Sequence, residues 1–193
     1  MSLGPVFDAA LAAQAACTKL GLPYCVIGGV ALQRWGEPRF TADVDLSVLV
    51  EPGEEARTAR ILLGELPARI EDAAGFAERT RVVLAQSGQG VGIDVVLAAL
   101  PYESRMISRS SPWQIDDATA LQTCSAEDLL VMKAFAARDK DWADVTSILE
   151  RQGRKLDLDL VREELRPLVE AKEQPDIAMQ LERRIERILG ELL

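Results

Sequence analysis

Residues 24–50, YCVIGGVALQRWGEPRFTADVDLSVLV, decide how the rest of the chain is read, and at their centre stand Asp43 and Asp45. Aspartate is disfavoured inside strands, yet here two flank Val44 and lead into Leu46-Ser47-Val48-Leu49-Val50, with the β-branched and apolar content of a buried strand. Successive strand side chains alternate faces, so both carboxylates point the same way, roughly 6.5 Å apart along the chain. Such a fork suits a cation. An Asx turn opening the strand, with Asp45 as a solvated strand residue, accounts for the same letters.

Working outward, residues 24–27 form a short apolar strand ending at Gly28-Gly29, and residues 30–35 read as a helix stopped by Gly36 and Pro38. A strand running into Gly-Gly at a helix N-terminus lets the backbone approach a phosphate, and the helix dipole favours the anion. A plain tight turn explains the glycines as well. Before the strand, Val6, Ala10, Ala13, Cys17 and Leu20 make one stripe of a helix over residues 5–20, with Gly21 at its end. After it, residues 54–66 place Ala56, Ala59, Leu62, Leu63 and Leu66 at helical spacing behind Glu54 and Glu55.

Residues 79–86 and 91–97 read as two strands of an antiparallel hairpin around Ser87-Gly88-Gln89-Gly90. Asp94 is the only charge in VGIDVVLA, and a carboxylate buried there needs a partner or a metal. An ion pair with Arg79 or Arg81 would satisfy it too. Residues 101–108 are expected as a short helix, followed by an irregular or β segment up to residue 123. Ser125 then opens a helix of about three turns, with Asp128 three residues on. Its apolar contacts come from Leu129, Leu130, Met132, Phe135 and Ala136, and Lys133 lies on their flank. A further helix begins at Asp139 and ends near Gly153. The remainder reads as two helices broken at Gln174-Pro175, the last carrying Met179, Ile185, Ile188, Leu189 and Leu192. The expected organisation is an α+β fold: a core over residues 1–124 with a small mixed sheet and flanking helices, and an α-helical region over residues 125–193 packed on it.

With 193 residues, 48% of them apolar and 27% charged, the composition is that of a folded soluble protein. No apolar run approaches the ~18 residues of a membrane span, and the start lacks the basic residues of a signal peptide, so no membrane partner and a cytoplasmic location are expected. Cys17, Cys25 and Cys124 are odd in number and widely spaced, which argues against disulfides and zinc knuckles. The net charge of −9 repels long nucleic acid unless basic residues gather on one face, and favours a small anionic substrate. There is no histidine at all. That excludes Ser-His and Cys-His nucleophile pairs and histidine-ligated zinc, leaving carboxylates and metal ions to carry any chemistry.

Apolar strand, Gly28-Gly29, Asp43-Val44-Asp45 on a second strand and a later Ile93-Asp94-Val95 resemble the signature of the DNA polymerase β-like nucleotidyltransferase superfamily. More narrowly, GGVALQRWGEPRFTADVDL and DLLVMKAFAARDKDWADV look like the minimal nucleotidyltransferases related to the AbiEii-type toxins. The likeness covers residues 22–150. It implies a nucleoside monophosphate moved from a nucleoside triphosphate to an acceptor hydroxyl on tRNA, protein or a small molecule, and an antitoxin-type protein partner for some members. The rival expectation is a non-catalytic nucleotide- or partner-binding module that keeps the fold. A DxD glycosyltransferase fits less well, because Gly-Gly precedes the DxD.

Three carboxylates about 5 Å apart at an effective dielectric of ~20 repel by roughly 3 kcal/mol per pair, about 10 kcal/mol in all. A divalent cation offsets this, and oxygen-only ligands beside a phosphate substrate favour Mg²⁺ or Mn²⁺. In the two-metal scheme that the resemblance implies, Asp43 and Asp45 hold the ions gripping the triphosphate, while Asp94 binds the ion at the acceptor and takes its proton. Gly28 and Gly29 would cradle phosphates, with Arg39 or Thr41 contacting phosphate nearby. Lys133 resembles the family's helical lysine and would clamp phosphate or nucleotide; a lysine stem covering the core reads equally well. Asp141 and Asp144 match the family's Asp-rich stretch as supporting residues, though first-turn helix acids are common for dipole reasons.

Overall fold

The computed structural model describes residues 4–190; Leu192, expected on the last apolar stripe, lies outside the described residues. The chain divides into two units, the first comprising residues up to Ala31 together with Phe40–Cys124, the second Leu32–Arg39 and the residues from Ser125 on.

The first unit is built on a mixed sheet. Its elements are α1 (Pro5–Lys19), β1 (Tyr24–Ile27), the start of α2 (Gly28–Trp35), β2 (Asp43–Leu49), α3 (Glu55–Glu65), α4 (Ala73–Thr80), β3 (Val82–Gln86), β4 (Gly92–Ala98), α5 (Pro101–Ser108), β5 (Ser111–Asp116) and β6 (Thr119–Thr123). The six strands lie in the order β3-β4-β2-β1-β6-β5. β2 runs antiparallel to β1 and parallel to β4, and β1 is parallel to β6. The outer pairs β3–β4 and β5–β6 are antiparallel.

Period-two alternation sorts the central strands into two faces. Val44, Leu46 and Val48 of β2 are fully buried, and their register partners Ile93, Val95 and Leu97 of β4 lie in the same apolar core. The core is closed by Ala9, Ala13 and Cys17 of α1 and by Ala59 and Leu62 of α3. The small side chains along α1 let that helix sit close on the sheet. Asp43 and Asp45 therefore fall on the opposite face of β2, away from this core.

Two expectations are corrected in this unit. Residues 79–86 are not one strand: Arg79 sits in the last turn of α4, and Arg81 ends that helix in the left-handed conformation, φ 59°. The cause is local. Asp72 caps α4 by accepting a hydrogen bond from Gly75 N–H at 3.1 Å, so a helix starts before strand geometry can, and β3 begins only at Val82. The helix over residues 30–35 also starts earlier, at Gly28 itself.

The second unit is helical: α6 (Ala126–Ala136), α7 (Asp139–Gln152), a short 3₁₀ turn (Gly153–Lys155), α8 (Leu158–Ala171) and α9 (Asp176–Gly190). Ser125 caps α6 by accepting from Asp128 N–H at 3.0 Å. Gly153, with φ 56°, ends α7 where the chain reverses. Trp142 of α7 is buried, with the Arg184 guanidinium of α9 stacked 4.1 Å from its ring centre. α9 buries Ile177, Leu181 and Ile185. Met179, expected on that stripe, is instead exposed, because a residue two positions from Ile177 points to the far side of the helix.

Candidate active site

Asp43 opens β2 and Asp45 follows on the same face. Parallel pairing of β2 with β4 sets Asp94 directly beside Asp45 in register, and Asp43 beside Gly92. Adjacent strands lie about 4.8 Å apart, so three carboxylates from two neighbouring strands share one patch of one sheet face. The sequence pattern named the three residues. The pairing that makes Asp94 the neighbour of Asp45 is tertiary.

Gly28 and Gly29 meet this patch edge on. Ile27 is the register partner of Asp45, so the first residue of α2 lies against the Asp45 side chain. A methyl group on Gly28 would overlap Asp45 Oδ2, and Gly28 has φ +61°, a conformation that disfavours side chains. A methyl on Gly29 would come within 2.5 Å of Thr41 Oγ1. The two glycines thus admit Asp45 and Thr41 to the start of α2. Thr41 donates to the Asp43 backbone carbonyl at 3.2 Å and lies 3.3 Å from Asp43 Oδ1. The approach to the strand is tied to the first carboxylate by this side chain.

Asp94 has an ion-pair partner, but neither of the arginines expected from sequence. Arg79 pairs with Asp72, and Arg81 with Glu55. Arg69 places Nη2 2.6 Å from Asp94 Oδ1. That oxygen is shut off from solvent yet receives no hydrogen bond of normal geometry. The pair is a charge contact, without the directional satisfaction a guanidinium normally gives a carboxylate. Sequence reasoning missed Arg69, although Gly92 was a signal: a glycine inside a strand, two residues before Asp94 on the same face, marks a close approach of another group.

Among the described residues no three acidic or cysteine side chains stand close enough together to enclose a metal ion in this arrangement. Asp45 is turned to Gly28 and Asp94 to Arg69. In kind the residues fit a hard divalent cation: the donors are all carboxylate oxygens, they stem from adjacent register positions on one face, and Asp94 Oδ1 is a buried oxygen lacking a hydrogen bond.

The other sequence-selected residues lie together in the second unit. Lys133 of α6 is buried, with Nζ 2.7 Å from Asp144 Oδ2 and 3.4 Å from Asp141 Oδ1. Arg39 grips Asp144 through two hydrogen bonds of 2.8 Å, from Nε to Oδ1 and from Nη2 to Oδ2. Arg138 pairs with Asp141. Burial works against ionisation of both aspartates, but it is outweighed. Hydrogen bonds from Arg138 and the charge of Lys133 hold the Asp141 carboxyl below the usual carboxylate range, and hydrogen bonds from Arg39 and Lys133 do the same for Asp144. The Arg39–Asp144 fork joins residues far apart in sequence, which no local pattern reveals.

The family described as nucleotidyl transferase AbiEii toxin, type IV TA system, matches residues 9–192. The chain belongs to this family. It is accordingly an enzyme of the nucleotidyltransferase class, from a family set in type IV toxin–antitoxin systems. Solved structures agree on the fold. An antigenic nucleotidyltransferase-like protein from Paracoccidioides brasiliensis shares 17% identity over 95% of this chain and 95% of its own, with a TM-score of 0.50. The antibiotic-resistance factor ANT(2'')-Ia in solution shares 17% over 84% of this chain and 92% of its own, at 0.56. The crystal structure of ANT(2")-Ia in complex with adenylyl-2"-tobramycin shares 19% over 81% and 94%, at 0.53. No curated protein matches the chain by sequence. No described helix is long and apolar enough to cross a membrane.

Proposed function

We propose that this nucleotidyltransferase moves a nucleoside monophosphate from a nucleoside triphosphate to an acceptor hydroxyl, using Asp43, Asp45 and Asp94 as the carboxylates that hold Mg²⁺ or Mn²⁺. One observation carries the reading: Asp94 stands in register beside Asp45 on a parallel strand, on the face shared by Asp43 and next to the glycine start of α2. A divalent cation bound there would neutralise triphosphate charge and ease ionisation of the acceptor hydroxyl.

The chain's own residues supply the rest. Gly28 and Gly29 offer a side-chain-free helix start whose dipole favours phosphate oxygens. Thr41 holds Asp43 in place and adds a hydroxyl for phosphate. Asp94 accepts the acceptor's proton; the acceptor oxygen bonds to the α-phosphorus, the bond from that phosphorus to the bridging oxygen breaks, and pyrophosphate leaves. In the second unit, Arg39 and Lys133 are the nucleotide-binding cations of this reading, held and oriented by Asp144 and Asp141. The acceptor hydroxyl of this reading belongs to tRNA, a protein or a small molecule, and an antitoxin-type protein stands among the partners because the family is set in toxin–antitoxin systems. A cytoplasmic setting follows from the need for nucleoside triphosphates.

The test is incubation with labelled nucleoside triphosphates, Mg²⁺ or Mn²⁺, and tRNA, protein and small-molecule acceptors. A labelled product that vanishes in Asp43→Ala is expected. Failure to bind any nucleotide in the presence of metal overturns the reading, and nucleotide binding without turnover, indifferent to Asp94, would mark a binding module instead.

A further inference from the structure

Arg69 has no place in the reaction as set out above, yet its charge lies against Asp94 Oδ1, where a bound cation would meet that oxygen. It arrives there by a dedicated path. Beyond α3, Ala68 pairs with Ala85 as an isolated antiparallel bridge. Arg69 N–H donates to Leu84 O at 3.0 Å and Gln86 N–H donates to Pro67 O at 2.9 Å, so residues 67–69 run as an extra short strand along the edge of β3. The backbone of Arg69 is thereby fixed two strands away from β4, and its side chain reaches inward across β3 to Asp94. Gly92 opens the way: a methyl group there would overlap Arg69 Nη1. The guanidinium ends with Nη2 2.6 Å from Asp94 Oδ1, in a contact where both side chains stay about 30% exposed, 32% for Arg69 and 29% for Asp94.

We propose that Arg69 is a stand-in cation for the third carboxylate, which a divalent ion must displace from Asp94 before the site is complete. The inference rests on the proposed role of Asp94 as a metal ligand. Three features support it beyond proximity. The contact lacks hydrogen-bond geometry, since Asp94 Oδ1 accepts none, so it is held by charge and gives way to a stronger charge at the same oxygen. Both side chains stay partly exposed, so the guanidinium can swing out to solvent and leave Asp94 Oδ1 to the incoming ion. And with Asp94 Oδ1 set against Arg69 and Asp45 against Gly28, no three acidic side chains among the described residues enclose an ion in this arrangement. The arrangement balances Asp94 when metal is scarce and makes occupation of this position an exchange of cations rather than a simple capture.

The experiment measures Mn²⁺ binding, by electron paramagnetic resonance of the free ion, to the full chain without substrate. Arg69→Met keeps the length of the side chain and removes its charge; it should bind Mn²⁺ roughly tenfold more tightly than wild type. The gain should disappear when Asp94→Asn is added, the signature of two groups coupled at one site. Unchanged or weaker binding in Arg69→Met, with Asp94→Asn still weakening it, overturns the stand-in role and leaves the metal-site reading intact. Binding indifferent to Asp43, Asp45 and Asp94 together overturns the metal-site reading itself. Should Arg69→Met not fold, wild type suffices: the Arg69 side-chain Nε–H resonance, assigned with Arg69→Lys, is expected to move on saturation with Mg²⁺, and a resonance that stays put overturns the exchange.

Discussion

At the scale of single residues, the carboxylate patch depends on side chains that are missing as much as on those present. Gly28 lies against Asp45 and holds φ +61°. Gly28→Ala should therefore lower stability by about 1–2 kcal/mol from the backbone alone, and displace Asp45 from its position. Urea denaturation reads the first effect, and a fall of at least about tenfold in nucleotide transfer, equal to ~1.4 kcal/mol, the second. Cysteine behaviour tests burial at the same scale. Desolvation pushes the Cys17 thiol up to about 12, even though a backbone hydrogen bond pulls the other way. Cys25 and Cys124 are fully buried as well. None of the three should react with iodoacetamide at pH 8 in the native protein, and all should react in denaturant, as read by mass spectrometry.

Pairs of elements carry the next layer of energetics. α6 and α7 are joined by Lys133, Asp141 and Asp144, with Arg39 and Arg138 completing the ionic network. Removing one partner of a buried ion pair leaves the other charge unpaired. Lys133→Met is expected to cost about 3–5 kcal/mol in chemical denaturation. Because the Asp144 carboxyl is lowered in the folded protein, its contribution is complete above the ordinary aspartate value near 4 and is lost as pH falls through the lowered value. Asp144→Asn should thus be less stable at neutral pH, and its melting temperature should fall less steeply than that of wild type below about pH 4. α4 supplies a smaller test. Asp72→Ala removes the hydrogen bond to Gly75 N–H and should cost about 1 kcal/mol, the usual worth of an N-cap.

On the scale of the whole molecule, β2 has a paired strand on each side and a fully buried apolar face, whereas β3 and β5 stand at the sheet's ends. Hydrogen exchange followed by mass spectrometry should find amides of β2 and β4 exchanging last and those of β5 among the first in the sheet. Equal exchange of β5 and β2 would contradict this ranking. What the linear sequence determined is whatever repeats locally: the helices with their caps at Ser125 and Gly153, the alternation that puts Asp43 and Asp45 on one side of a strand, the lone charge at Asp94, and the order of motifs that marks the nucleotidyltransferase family. It misjudged the start of residues 79–86, where the helix capped by Asp72 runs on to Thr80 and the strand begins only at Val82. Tertiary structure alone decided which distant residues meet. Parallel pairing of β2 with β4 sets Asp94 against Asp45, the edge bridge at Ala68 delivers Arg69 to Asp94, and Arg39 finds Asp144. The reason is range: propensity, capping and alternation act over a few residues of chain, while register and ion pairing are settled only when separate elements compete to bury the same apolar face and neutralise the same charge.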